Sequence, residues 1–210
     1  MNEIVNLFVF ASSWLATFTL FFPLVYSILA YKKKVHFDID LKLFTFYCYL
    51  TIIGQFIAYT LSMGFGMHNV LIFRIYLPIH TLVFSYFLLK WIGVNKKHYS
   101  IFMIIIFLIS IFGDIIWGDF NYSPNFMFWF DAIILLILSF SLSYLGDKNN
   151  IKLPPQKHFI QIGIYLYALI TVFGIISENL EILSAAFFLQ GLAIIVSSIY
   201  FARSFKCLYR

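Results

Sequence analysis

Six polar residues stand inside stretches of sequence that are otherwise apolar: Gln55, Arg74, His80, Asp114, Asp131 and Gln190. Together they offer a fixed positive charge, two carboxylates, a titratable imidazole and two amides. Such a set can bind a polar ligand, carry protons, or hold helices together by hydrogen bonds. The densest stretch is RIYLPIHTLVFSYFLLKW, Arg74 to Trp91, which carries an arginine, a proline and a histidine near its start. An ionisable group in hydrocarbon is costly, so each of these residues calls for a partner or a function.

The elements that must position them follow from composition. Of the 210 residues, 62% are hydrophobic and 11% charged, and the mean hydropathy is +0.93. A soluble domain is about half apolar and about a quarter charged. Only a lipid-facing surface removes the need for a polar exterior, so the chain is read as an integral membrane protein. Its 27 Phe and 14 Tyr suit helices packed with aromatics and ringed by them at the headgroups. The net charge of +5 does not point to nucleic acid, because the basic residues lie in short loops between apolar runs, where they set orientation. Cys48 and Cys207 make neither a disulfide framework nor a metal-ligand spacing. The terminal CLYR departs from a prenylation box at its final Arg. No cofactor motif is present.

A spanning helix needs about 20 mainly apolar residues. Seven runs qualify, 7–31, 43–63, 70–92, 100–117, 127–146, 158–178 and 182–204, and polar or breaker-rich segments separate them. The first run is expected to stay as a helix: it is long for a signal peptide, begins with Glu3, and has no small-residue cleavage site after it. The fold expected is all-α, a polytopic single bundle of seven transmembrane helices forming one domain. With the N-terminus outside, 13 of the 14 basic residues fall in or beside the cytoplasmic loops 32–42, 93–99 and 147–157 and the tail. Arg74 is the exception. The bias predicts an N-out, C-in, multi-pass protein of the inner membrane. Glu3, Asp114, Asp119, Asp131, Glu178 and Glu181 lean outward, whereas Asp38, Asp40 and Asp147 lie on the inner side.

On the third run, entering from outside, Arg74 lies about 6 Å deep and His80 about 15 Å deep. Asp114 and Asp131 lie shallow in the outer half, with Gln55 and Gln190 about 12 Å from the outer face. The inner half offers mainly Gln161. Arg74 either pairs with Asp114 or Asp131, or snorkels to the headgroups. Pro78 removes one backbone bond and can bend the helix, as can Pro23 in the first run. On a straight helix Arg74, Pro78, Thr81 and Ser85 share a face, while His80 sits about 120° away beside Tyr76 and Phe84. His80 reads either as a hydrogen-bonded packing residue or as a ligand contact. Gln55 and Gln190 read equally as interhelical glue. A proton relay through Asp114 or Asp131 would need a second carboxylate toward the inner face.

Several classes are excluded by what the runs lack. The last run has no lysine for a retinal Schiff base. One deep histidine does not make a zinc site or a di-haem site. Ser12 and Ser13 have no base beside them, so a non-enzymatic role is expected, with no catalytic or metal residue.

From helix 3 onward, IYLPIHTLVFSYFLLKW, NYSPNFMFWFDAIILLILSFSLSYL and AIIVSSIYFARSFKCL resemble a group of small seven-helix membrane proteins of Bacteroidota. Some of these stand alone, and others are similar to the sensor half of histidine kinases. The likeness is one of hydropathy layout and aromatic spacing over residues 70–210. That pattern would place a carboxylate where His80 stands, a departure, and an acidic residue where Asp131 stands, a match. The resemblance implies a sensing or accessory role and carries over no catalytic residue. The expectation is therefore a receptor-like protein with an outward-facing polar pocket for a small molecule, formed by Arg74, Asp114, Asp131, Gln55, His80 and Gln190. It would act on a separate protein partner at the cytoplasmic face. A small-solute transporter or channel and a structural assembly subunit are the alternatives.

Overall fold

The computed structural model describes residues 15–65, 70–117, 125–149, 151–179 and 183–209, and among these every regular element is a helix. The helices are α1 (Phe21–Lys32), α2 (Ile39–Phe65), α3 (Val70–Ile92), α4 (Lys96–Trp117), α5 (Asn125–Asn149), α6 (Pro155–Asn179) and α7 (Leu183–Tyr209). Residues 15–19 are also helical and lead into α1 through a turn at Leu20, completing the span Leu15–Lys32. The described residues thus contain seven helices long and apolar enough to cross a membrane. The chain is an all-α, multi-pass membrane protein. Residues 7–14 of the expected first span lie outside the described residues, as do Glu3, Asp119 and Glu181.

Most helices run past the apolar limits read from sequence. α2 begins at Ile39 rather than near 43, α4 at Lys96 rather than near 100, and α7 continues to Tyr209. Hydropathy marks the part of a helix that meets lipid. The hydrogen-bond ladder continues into the headgroup layer, where polar side chains are already solvated. The two candidate bend points behave differently. The chain turns at Leu20, three residues before buried Pro23, where proline supplies no N–H and crowds the preceding turn. α3 passes through Pro78 without interruption.

Loop chemistry explains where two helices stop. α3 ends on Gly93 at φ 84°, with the Gly93 N–H donating to the Lys90 carbonyl and the Val94 N–H to the Leu89 carbonyl. That is the paired closure that favours glycine in the left-handed region. α1 ends with the same pair of bonds, Lys34 N–H to Tyr31 and Val35 N–H to Ala30, but the residue at φ 56° is Lys34.

The helices gather into two compact units, one holding residues 1–49 and 153–210 and the other residues 50–152. The division falls within α2. In the first unit α6 and α7 pack along their length and α1 lies against α7. Gly163 lets α6 approach α7 closely: a Cβ there would meet the Phe201 ring at 2.5 Å and the Ser197 carbonyl at 3.3 Å. Phe44 of α2 meets Phe201 edge-on at 4.9 Å and stacks with Phe205 at 5.9 Å. In the second unit α3, α4 and α5 pack against one another. The Phe126 ring of α5 occupies the place a Cβ on Gly113 of α4 would need. α3 is the most enclosed span, 56% of it buried, whereas α4 is buried over 17% and turns most of its surface to lipid.

Lys34→Gly relieves an L-residue held at positive φ, which is worth roughly 1 kcal/mol. The variant is expected to unfold at a higher temperature than the wild type in the same detergent; an unchanged or lower midpoint would contradict the assigned helix ending.

Candidate polar site in the membrane

Two of the six candidate residues meet directly. Asp131 on α5 and His80 on α3 are both buried, at 0% and 3% exposure, with His80 Nδ1 3.0 Å from Asp131 Oδ1. The Thr81 hydroxyl donates to the same Oδ1 at 2.7 Å and lies 2.9 Å from the Leu77 carbonyl. With Asp131 ionised, its Oδ1 can only accept, and His80 Nδ1 then carries the hydrogen of the bond between them. Adjacent residues on a helix point about 100° apart. The carboxylate is reached from both because it sits over the bisector of His80 and Thr81.

The imidazole is held on its faces as well. The Phe84 ring meets it edge-on at 4.5 Å, and the Tyr76 ring lies at 5.6 Å. These are the two neighbours that helical spacing assigns to it. Tyr76 then leads outward from the buried pair. Its hydroxyl is 3.4 Å from Thr51 Oγ1 on α2, and Thr51, Gly54, Gln55, Ala58, Ile72 and Tyr76 line a small crevice. Gly54 leaves open space where a side chain would stand. A continuous line of contacts thus runs from the crevice through Tyr76 and His80 to Asp131.

The other candidates are distributed differently. Gln55 is half-buried at the crevice, and Arg74 is half-buried on α3. Asp114 lies on α4, with its side chain outside the described residues. Gln190 is half-buried on α7, in the first unit. Asp131, one of the two carboxylates expected beside Arg74, is bonded to α3 by His80 and Thr81. No known protein family matches the chain, and no curated protein or solved structure does. No cluster of three or more His, Cys, Asp or Glu able to hold a metal occurs among the described residues.

Sequence reasoning missed two features. Thr81 and Thr51 were not singled out, because a threonine in an apolar run is ordinarily bonded to its own helix. Asp38 and Asp40, placed by sequence in a loop, form an ion-pair cluster in the first unit, with Asp40 buried and Asp38 partly exposed. Asp40 is 2% exposed, and Lys157 of α6 lies 2.7 Å from Asp40 Oδ2 and 2.8 Å from Asp38 Oδ2. Asp38 also caps α2, accepting the Leu41 N–H at 2.9 Å through Oδ1. The position of Asp40 among Phe37, Leu41 and Phe44, all in the core, was the available signal.

Two measurements follow. A double-mutant cycle of His80→Ala and Asp131→Ala, read by thermal unfolding, is expected to show coupling of about 1–3 kcal/mol; additive effects would mean the two side chains do not share a bond. Lys157→Ala removes the cation paired with buried Asp40 and should cost about 3–5 kcal/mol, well above the roughly 1 kcal/mol expected for losing the Asp38 cap in Asp38→Ala.

Proposed function

We propose that the protein is a receptor-like sensor or accessory subunit that signals through the packing of α3 against α5. The observation that carries this reading is the buried His80–Asp131–Thr81 cluster and its link, through Tyr76, to the crevice beside Gln55. The crevice, about 10 Å³, has room for no more than a water-sized group, so a small polar molecule entering from outside would have to widen it to contact Gln55, Thr51 and Tyr76. Moving Tyr76 displaces a ring that packs on His80, and the His80–Asp131 bond joins two helices. A ligand changes such an equilibrium only by binding its two packings unequally, and Tyr76, which walls the crevice and packs on His80, is the residue through which it would do so. In this reading the protein lies N-out and C-in in the inner membrane. Its lysine-rich loops pass the change to a separate protein, as the likeness to sensor halves of histidine kinases implies.

A transport reading is favoured by a different observation. The Asp40–Lys157 pair supplies a buried carboxylate on the expected inner side, which the sequence alone had not offered.

Spin labels at the exposed positions Asn95 and Asp147, with Cys48 and Cys207 replaced, would report the separation of the α3 and α5 ends. The sensor reading expects two distances in the wild type and one in Asp131→Asn. A single distance, unchanged by the substitution, would leave the cluster as a structural fastening. Proton uptake by proteoliposomes that depends on both Asp131 and Asp40 would favour transport.

A further inference from the structure

Four helix ends meet at one place in the first unit. The Phe37 ring, in the connection between α1 and α2, lies 5.9 Å from the Phe205 ring in the last turns of α7. Lys157, in the first turn of α6, is bonded to Asp38 and Asp40 around the start of α2. About these contacts Lys32, Lys33, Lys34, Lys42, Arg203 and Lys206 are all exposed. The side-chain carboxylates at this end, among the described residues, are Asp38 and Asp40, and Lys157 stands within 2.8 Å of both. With Lys157, seven cations share the end with two carboxylates, a surplus of five positive charges whichever pairs form.

The charged end passes into exposed hydrocarbon within one helical turn. Ile28, Phe46 and Ile199 are exposed, and they stand four residues from Lys32, Lys42 and Arg203, so each shares a helix face with its cation. In all three helices the apolar residue lies on the side of the spanning segment. Arg203 is held for its part by rings. Its guanidinium lies 5.7 Å from the centre of the Tyr200 ring, which is 6.3 Å from the Phe159 ring of α6. A guanidinium laid on a ring keeps its N–H edge for a pair of phosphate oxygens, and Lys206, three residues on, adds a second charge on that face.

We infer that this end of the first unit is a docking surface for anionic phospholipid, with the headgroup phosphate at Arg203 and Lys206 and the acyl chains along the exposed apolar turn beside them. Charge followed by hydrocarbon is the order in which a phospholipid presents itself to a spanning helix. An acidic protein segment would match the cations and leave the apolar turn uncovered. Each basic residue near an anionic lipid surface strengthens the association about fivefold. The sensor reading rests on α3 and α5 of the second unit, so the two stand or fall separately.

Native mass spectrometry of the full chain released from nanodiscs of equal parts phosphatidylglycerol and phosphatidylcholine measures which lipid stays bound. The wild type should retain phosphatidylglycerol over phosphatidylcholine by about tenfold or more, and Arg203→Gln with Lys206→Gln should lower that ratio about fivefold or more. Lys96→Gln with Lys97→Gln, at exposed positions of the second unit, removes the same charge and should leave most of the ratio in place. A wild type without preference, or equal losses in the two double variants, would overturn the surface. Excess glycerol phosphate should leave the bound lipid undisturbed; its displacement would assign the cations to a soluble phosphate and overturn the lipid.

Discussion

A carboxylate inside a hydrocarbon layer is the constraint around which the second unit is arranged. An aspartate in a spanning helix carries an insertion cost that reaches about 2.5–3.5 kcal/mol at the centre, and Asp131, shallower than that, has no surface exposure through which to recover its share by snorkelling. Its neighbours supply the compensation. His80 and Thr81 converge on one oxygen, and both come from α3, so the same bonds that settle the carboxylate also join α3 to α5. Phe84 and Tyr76 then confine the imidazole by its rings. α3, the most enclosed of the spans, can serve two adjacent polar residues because its buried arc is wide.

The first unit meets a related requirement by different means. Close approach of α6 and α7 depends on Gly163, and the interlocked rings of Phe44, Phe201 and Phe205 fill the space beside it. Without a hydrophobic driving force between helices in lipid, such packing and interhelical bonds supply the cohesion. At one end of the unit Lys157 holds two aspartates, Asp38 of the connection before α2 and Asp40 at the start of α2. That cluster brings the 33–38 connection to the start of α6, so the two segments share one end of the unit. This is what the lysine bias requires of two loops placed on one side of the membrane.

The membrane class and the helix count were legible because they rest on composition and run length, which need no partner information. Helix ends were less legible. Asp38, Ile39 and Asp40 read as loop until the Asp38 cap and the Lys157 pairing are seen, since hydropathy does not register a helix that continues into the headgroup layer. Within the site, His80 and Asp131 were identifiable singly, as polar residues in apolar runs. Their pairing was not, because the separation of 51 positions in sequence is bridged by tertiary packing alone. Thr81 was hidden for a further reason: a hydroxyl bonded to its own helix and one shared with a neighbouring carboxylate have the same sequence signature.

The account assigns a definite place to one proton, that on Nδ1 of His80, pointing at Asp131. Nitrogen-15 spectra of histidine-labelled protein in bilayers measure it directly. The account predicts that His80 Nδ1 appears as a protonated, hydrogen-bonded nitrogen in the wild type and that its signal moves in Asp131→Asn while the signals of His36, His98 and His158 do not. A His80 Nδ1 that is unprotonated, or indifferent to the substitution, would contradict the bond on which the arrangement of α3 and α5 depends.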